Sequence, residues 1–463
     1  ISLLIKHGTQ EMKRTYLPNM ISGVWSGVMC LTEPVAGTDL GIIKTRAEPN
    51  ADGSFSVTGT KIFISSGEQD MTENIIHLVL AKLPNAPAGA KGISLFLCPK
   101  FLVNADGSLG ARNQFSCASI EHKMGIHASP TCVMNYDGAV GYLVGQPHRG
   151  LPAMFTMMNA ARLAVGMQGL GLSEVAYQNA VSYAKDRLQG RSLTGVKNPS
   201  GPADPLIVHP DVRRSLMTIR AFNEGARALS LWVGTHIDMH EKHPDPAVRK
   251  DADDFVALMT PIVKAYFTDM GFECTNMALQ IYGGHGYIRE YGMEQFVRDA
   301  RIAQIYEGAN GIQALDLVGR KLPAEGGRLL RFFFHPLSER LQRTVQDPQL
   351  KEFAEPLAKS FARLQQATQF IVMKAMSNPD EAGAASTDYL RMFGLVALGD
   401  MWLRMAEVSL AKLPTATGDR SFHDAKIKTA RFFMTKMLPE VHGLFARIMA
   451  GAGPVMALEA EGF

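Results

Sequence analysis

The sequence lacks several things, and each absence narrows the field. No apolar run approaches the ~18 residues that a membrane-spanning helix needs, so helical insertion into a bilayer is not expected. Cysteine is scarce: Cys30, Cys98, Cys117, Cys132 and Cys274 are scattered, odd in number and never spaced C-x-x-C. Such a set argues against a disulfide framework and a structural zinc site, and fits a reducing compartment, the cytoplasm. Neither sign of charge dominates, with 47 Lys and Arg against 44 Asp and Glu and a net charge of +3. That balance argues against a nucleic-acid-binding surface. The loops G-x-x-x-x-G-K-[ST] and G-x-G-x-x-G are missing, as is the G-x-S-x-G nucleophile turn. His240-Glu241-Lys242-His243 falls one residue short of H-E-x-x-H, and Pro244 follows at once; it reads as a solvated helix end, and no metal is expected. Ile1-Ser2-Leu3-Leu4-Ile5-Lys6 has neither an initiator methionine nor a signal-peptide pattern, and the expectation is that the natural N-terminus lies upstream.

What is present is ordinary in bulk. The 463 residues, 46% apolar and 20% charged, suffice for about three domains at ~150 residues each. The pattern changes twice along the chain. Residues 23–142 are β-rich, with short apolar or alternating runs at 55–61, 75–82, 93–99 and 132–136. Asp52-Gly53, Asp106-Gly107 and Asp137-Gly138 punctuate them as turns. Strands spaced this way without intervening helices predict an antiparallel barrel or sandwich. From Leu151 the period becomes helical: 151–189, then, past a Gly/Pro-rich break at 195–205, 210–240, 248–281, 293–306 and 311–317. After a break at 321–327 a further helical block covers roughly 337–450, interrupted near 377–387 and 412–419. Phe332-Phe333-Phe334 belongs to a core or an interface. The fold class expected is α+β and multidomain, divided as 1–22, a β domain at 23–148, a helical bundle at 149–330 and an extra helical domain at 331–463.

Four motifs carry candidate chemistry. In Met29-Cys30-Leu31-Thr32-Glu33-Pro34-Val35-Ala36-Gly37-Thr38-Asp39 an apolar strand enters a turn that offers backbone N–H groups and two hydroxyls to an electron-rich ligand. In Lys61-Ile62-Phe63-Ile64-Ser65-Ser66-Gly67 a strand ends with an aromatic on which a flat ring could lie while Ser65 reaches its edge. Gln280-Ile281-Tyr282-Gly283-Gly284-His285-Gly286 ends a helix with more glycine than a cap requires. In Gln304-Ile305-Tyr306-Glu307-Gly308-Ala309-Asn310-Gly311-Ile312-Gln313 a carboxylate sits between two helices; in an apolar pocket its pKa would rise and it could act as a base. Taken singly, each would pass for a turn, a strand end, a cap or a solvated loop.

Taken together, in this order and spacing, the four resemble the acyl-CoA dehydrogenase flavoproteins, whose patterns C-[VL]-T-E-P-x-A-G-[ST]-D, W-I-T, Q-x-x-G-G-x-G and I-Y-E-G are met one after another between Trp25 and Gln313. The resemblance implies a β domain, a four-helix-bundle domain and an N-terminal helical domain, of which residues 1–20 look like the last part. It also implies FAD-dependent oxidation of an acyl-CoA to the trans-2-enoyl-CoA, with Glu307 as the base that removes the α-proton. The backbone N–H of Glu307 and a flavin hydroxyl would hold the thioester oxygen. Met29, Leu31, Thr32, Gly37 and Thr38 match the loop that holds the flavin, and Phe63, Ile64 and Ser65 match the segment along its ring, with Phe in place of Trp. Gln280, Gly283 and Gly284 match the segment that grips the FAD of a neighbouring subunit, which implies a homodimer or tetramer. Asp186-Arg187-Leu188-Gln189-Gly190-Arg191 resembles E-R-x-Q-F-G, and Arg187 takes the place of the arginine that pairs with the FAD pyrophosphate; the phenylalanine is missing and the next loop is longer. Asn159 and Arg162 match an Asp near the CoA and an Arg supporting the base. Thr38 and Gly308 complete the substrate contacts, and Asn310 stands in for a cofactor contact.

The third helical block, and residues 121–132, resemble a longer bacterial subgroup of this family. On that basis the expected substrate is a short or thioether-bearing acyl group such as 3-methylmercaptopropionyl-CoA, with medium- or long-chain acyl-CoA as the alternative. An electron-transferring flavoprotein is the expected acceptor. An acyl-CoA oxidase and a non-catalytic FAD-binding relative are the other readings.

Overall fold

Nine strands form in the first third of the chain, β1 (Trp25–Cys30), β2 (Arg46–Pro49), β3 (Phe55–Ser65), β4 (Asn74–Lys82), β5 (Ile93–Pro99), β6 (Phe101–Val103), β7 (Leu109–Arg112), β8 (Phe115–Ile120) and β9 (Thr131–Leu143); the four expected runs are β3, β4, β5 and β9, β1 is the strand of the first motif, and β2, β6, β7 and β8 were not expected. The computed structural model describes residues 1–463 apart from 416, 417 and 419, in two compact units, Ile1–Ala161 and Arg162–Phe463. In the first unit β4, β2, β3, β9 and β5 pair in a ring that closes where β5 meets β4. β1 adds to the outer side of β4 and β8 to β9, while β6 and β7 form a separate hairpin. The ring fits the expected barrel. The pairing is mixed rather than antiparallel, because β1 and β2 both run parallel to β4. The chain spends a loop and the β2–β3 hairpin before returning as β4 beside β1, and a crossover of that length brings strands back in the same direction.

β4 and β5 are buried along nearly their whole length. Ile76, Leu78, Leu80, Leu95 and Leu97 face one cluster, which is closed by Leu3 and Leu4 of α1 (Ser2–His7), Met12 and Tyr16 of α2 (Gln10–Ser22), and Ala153 and Met154 at the start of α3 (Gly150–Asp186). Ile75, Val79, Ala81, Phe96 and Cys98 face the other, with Val57, Cys132 and Met134. Burial on both faces explains why these two runs are continuously apolar instead of alternating. Two of the three Asp-Gly pairs stand at turns, with Gly53 and Gly107 at φ 84° and 85°. The third does not: Thr58 opposes Asp137 and Val57 opposes Ala139, so Gly138 (φ 72°) is the extra residue of a bulge inside β9.

The second unit is helical. α3 continues into it and is followed by α4 (Pro210–Lys242), α5 (Pro246–Tyr282), the short α6 (Gly284–Tyr287), α7 (Met293–Arg301), α8 (Asn310–Asp316), α9 (Arg328–Thr344), α10 (Lys351–Ala375), α11 (Pro379–Lys412), α12 (Arg420–Phe432), α13 (Glu440–Met449) and α14 (Gly453–Met456). α4 and α5 form a hairpin whose return is capped by Asp245, which accepts from Ala247 N at 2.8 Å, with Pro246 in the first turn. One hydrophobic core runs from Leu170 to Ile448. α5 lies inside it, against α4, α7, α8, α9 and α11. Phe333 is buried against Phe393, with ring centroids 5.0 Å apart, and Phe334 meets Phe361 edge-on, so the Phe run belongs to the core.

Three helix limits differ from expectation. The last block starts at Arg328, well before residue 337. The expected break at 377–387 is only a helix start: Asn378 accepts from Asp380 N at 3.1 Å and Pro379 opens α11, so residues that resemble a loop in composition are an N-cap and first turn. α7 stops at Arg301 and a 3₁₀ turn, Ile302–Gln304, carries the chain onward. The break expected at 412–419 begins where α11 ends, but residues 416, 417 and 419 lie outside the described residues.

Trp402 is fully buried on α11 and its indole N–H donates to Ala221 O on α4 at 3.0 Å. Trp402→Ala is expected to lower stability by about 3–5 kcal/mol. Urea unfolding should show the loss in probes placed on α4 and on α11 alike, because they share that core.

Candidate functional site

In the first unit a buried charge pair organises the loop after β1. Lys61 and Glu33 are almost wholly removed from solvent, and Lys61 Nζ donates to Glu33 Oε1 at 2.8 Å and to Leu31 O at 2.9 Å. Glu33 also accepts from Lys44 N (2.6 Å), Thr45 N (3.1 Å) and Thr45 Oγ1 (2.6 Å). Burial works against the Glu33 charge, but the Lys61 ammonium and these donors outweigh it and hold the carboxyl below its ordinary pKa. The loop is thereby fixed to β3. Leu31 and Thr32 are half-buried, and Gly37 and Thr38 are exposed at its outer edge. Met29 leans on the helix-covered cluster.

Two positions later β3 breaks register. Lys61 opposes Met134 and Ile64 opposes Cys132, and Ile62 N turns instead to Thr32 O at 2.9 Å. The irregularity throws Phe63 outward at φ 60° with 59% of its surface exposed. A non-glycine residue in the left-handed region costs ~1–2 kcal/mol, so the fold sustains strain to display this ring. Ser65 is exposed beside it. The side chain of Ile64, expected along a ligand ring, packs in the barrel core, which leaves its backbone for that role.

In the second unit α3 and α5 cross with their backbones in close approach. A Cβ on Gly169 would lie 2.7 Å from Phe267 O, and one on Gly271 would lie 2.5 Å from Gly169 O. The crossing puts Arg162 of α3 and Lys264 of α5 where their charges reach Glu307. Glu307 stands at φ 55° and Gly308 follows at φ 89°, a reversal between the 3₁₀ turn and α8. A Cβ at Gly308 would lie 2.4 Å from Gln313 Nε2. Tyr306 OH donates to Gln168 Oε1 on α3. Burial raises the pKa of Glu307, and Arg162 and Lys264 pull against that rise. Lys264 is itself fully buried, which lowers its pKa to about 8. A half-buried carboxylate with a raised pKa between two cations can take up a proton and release it again.

Asn310, expected as a cofactor contact, is bonded within its own chain. Its Oδ1 accepts from Lys264 Nζ at 2.8 Å, and its Nδ2 donates to Thr268 Oγ1 at 2.9 Å and Asp269 Oδ1 at 2.7 Å, so the side-chain amide is committed inside the chain. Lys264 and Asp269 were not singled out from sequence, and Gln304, which joins Asp269 at 2.7 Å, opens the fourth motif but was given no role there. A lysine inside the apolar run 258–267 was the available signal. Asn159 is exposed on α3.

A third group lies where α3 and α5 end. Tyr183 stacks on Tyr282 at 4.0 Å and bonds His285 Nδ1 at 2.8 Å. Gln280, Gly283 and Gly284 are exposed here, and a Cβ on either glycine would meet nothing within 4 Å. Arg187 is exposed on the neighbouring stretch. The longer loop that follows folds round the buried Asp204, which accepts from Ser192 N (2.8 Å), Asn198 N (2.6 Å), Lys197 N (2.9 Å) and Arg191 (3.3 Å). Ser192 N leads the donors that pull its pKa down to about 2. Among the described residues no cluster of three or more His, Cys, Asp or Glu could hold a metal.

Two outcomes follow. Lys61→Met leaves Glu33 buried and unpaired, and should cost about 3–5 kcal/mol in urea unfolding at pH 7. The contribution of Glu33 exists above its unfolded pKa of ~4.3 and is lost as pH falls through the lower folded value, so wild type and variant should converge in acid. Asp204→Ala removes the acceptor at the centre of its loop, and trypsin should then cut after Arg191 and Lys197 faster than in the wild type, with the helices intact.

Three stretches match family profiles: acyl-CoA dehydrogenase, middle domain, over residues 28–139; acyl-CoA dehydrogenase, C-terminal domain, over 148–322; and acetyl-CoA dehydrogenase C-terminal like, over 337–459. The 3-methylmercaptopropionyl-CoA dehydrogenase of Ruegeria pomeroyi is 43% identical over 95% of this chain and 74% of its own length. The broad-specificity linear acyl-CoA dehydrogenase of Mycobacterium tuberculosis is 36% identical over 94% and 74%. The acyl-CoA dehydrogenase of Bacillus anthracis, solved with FAD, shares the fold with a TM-score of 0.77 at 21% identity, over 97% of this chain and 72% of its own. With these matches covering nearly all of the sequence, the chain belongs to the acyl-CoA dehydrogenase family.

Proposed function

We propose that this chain catalyses the FAD-dependent α,β-dehydrogenation of an acyl-CoA, with Glu307 as the base. The observation that carries the reading is the strained, half-buried Glu307 with its raised pKa between Arg162 and Lys264. The residues fit the cofactor. The displayed ring of Phe63 offers a flat face, and Gly37 and Thr38 lie open on a rigid loop. Met29, Leu31, Thr32, Gly37, Thr38, Phe63, the backbone of Ile64, and Ser65 would hold the flavin. When bound, FAD supplies the acceptor for the hydride leaving the β-carbon. Gln280, Gly283, Gly284 and Arg187 are proposed for the FAD of a second copy, and the open space at both glycines supports a visiting ligand there; the chain would then act as a homodimer or tetramer.

Glu307 takes the α-proton. Its partial desolvation makes the carboxylate more basic, and Arg162 and Lys264 keep a fraction ionised for the task. The Glu307 N–H is proposed to donate to the thioester oxygen as negative charge develops there; one such donor is commonly worth ~3 kcal/mol. Gly308, Thr38 and Asn159 are the further proposed substrate contacts. The proposed acyl group is 3-methylmercaptopropionyl, supported by the 43% identity to the Ruegeria pomeroyi enzyme, with medium or long linear chains as the alternative. The proposed acceptor is an electron-transferring flavoprotein, and the proposed location is the cytoplasm, where five unbridged cysteines would persist.

The test is an anaerobic titration of the FAD-loaded protein with a panel of acyl-CoAs, following the visible flavin band. Bleaching by 3-methylmercaptopropionyl-CoA supports the reading, and bleaching only by longer chains moves the substrate. Hydrogen peroxide released in air at the turnover rate would make the enzyme an oxidase, and a flavin that no acyl-CoA bleaches would overturn the reading. Glu307→Gln should keep the flavin and slow bleaching by about 10²–10⁴-fold. Because the active form is the deprotonated one, kcat/KM should rise with pH through a limb above the ordinary carboxylate range. The charged groups facing Glu307 are Arg162 from α3 and Lys264 from α5, with Asp316 and Arg320 beyond Arg162.

A further inference from the structure

Both flanks of the turn that carries Glu307 are tied to one atom. Gln304 Nε2, before Glu307, and Asn310 Nδ2, after it, each donate to Asp269 Oδ1 at 2.7 Å. Asp269 lies half-buried on α5, between the buried Thr268 and Met270. The Asn310 amide has a single sensible orientation. Its oxygen accepts from the Lys264 ammonium, which has no lone pair to offer, and this leaves its nitrogen to donate to the Asp269 carboxyl, whose pKa burial raises and the Asn310 and Gln304 donors pull back. Thr268 Oγ1 donates to Lys264 O at 2.8 Å and so is free to accept from Asn310 at 2.9 Å. Between the two anchored flanks the backbone passes through two successive positive φ values, at Glu307 and Gly308. A turn of this kind relaxes toward commoner conformations unless its ends are held.

Resting on the reading of Glu307 as the base, we infer that Asp269 is its positioning residue: one carboxylate oxygen grips both ends of the 304–310 turn and so fixes where the Glu307 carboxylate points, while Lys264 orients the Asn310 amide that makes the second grip. Asp269 acts through the turn and takes no part in the proton transfer. Lys264 has two duties, as a cation toward Glu307 and as the donor that sets Asn310.

The experiment uses the FAD-loaded chain with an acyl-CoA that bleaches it. Asp269→Ala should lower kcat about 10–100-fold, as a misdirected base does, with KM and flavin content little changed. The acidic limb of the kcat profile should move to lower pH, because water reaching a loosened Glu307 removes the desolvation that raised it. Asp269→Asn should recover most of the rate, since an amide oxygen in the same place can accept both donors. Asp269→Ala combined with Asn310→Ala should be no slower than Asp269→Ala alone. Gln304→Ala removes one grip only and should give a smaller loss with the same direction of pH shift; it carries the test if Asp269→Ala does not fold. Wild-type kcat and acidic limb in Asp269→Ala or Gln304→Ala would overturn the inference, as would a loss that Asp269→Asn does not restore. Full activity in Glu307→Gln would instead overturn the base itself, so the two failures are distinct.

Discussion

The second unit is built around a helix whose central stretch, 258–268, is buried on every side and yet carries charge. α5 is sheathed by α4, α7, α8, α9 and α11, and its buried face includes Lys264, with Asp269 a little further along. An ionised group deprived of water must find partners or lose its charge. Here the partners come from the turn leading into α8. Asn310 answers Lys264 and Asp269 together, and Gln304 completes the coordination of Asp269. The demand for hydrogen bonds inside the core thus dictates the path of the chain at the surface, where Glu307 sits. The first unit solves the same problem with Glu33 and Lys61, whose mutual satisfaction requires the loop after β1 to lie against β3.

Both arrangements sustain local backbone strain at the residues with candidate roles. Phe63 and Glu307 are non-glycine residues at φ 60° and 55°, and each lies a few residues from a buried polar centre. Strained residues gather where surrounding structure over-determines them, and such sites are candidates for pre-organised function. The buried pairs are therefore better understood as instruments of placement than as sources of stability, since a buried ion pair contributes little net stability compared with an apolar substitute.

The sequence made the outline legible because its signals are local. Strand runs and helical periods located the longer strands and the main helices but not the short strands β2, β6, β7 and β8, and Glu307-Gly308 stood out as a carboxylate between helices. The misread features depended on partners distant in sequence. Parallel pairing of β1 with β4 follows from how the β2–β3 hairpin is threaded, and residue alternation does not record threading. Gly138 has the composition of a hairpin turn and becomes a bulge because β3 already opposes both its neighbours. Asn378-Pro379 looked like a break because caps and loops draw on the same residues. The amide of Asn310 faces inward to Lys264 and Asp269, charges some forty residues upstream that the packing of α8 against α5 brings near. The fold is thus written in short-range pattern, while the placement of the site is written in long-range charge compensation.

The continuous core of the second unit also bears on modularity. Two family profiles divide this region, one ending at residue 322 and the other beginning at 337, as if two parts had been joined. The packing has no such seam: Phe333 and Phe393 lie in the same cluster as Phe222 and Phe267, and the Trp402 indole reaches the backbone of α4. A unit of inheritance and a unit of folding need not coincide. With α11 part of the wall around α5, the terminal block is an integral part of this unit and not an accessory to it. Its loss would expose a wide apolar face of that shared core to water.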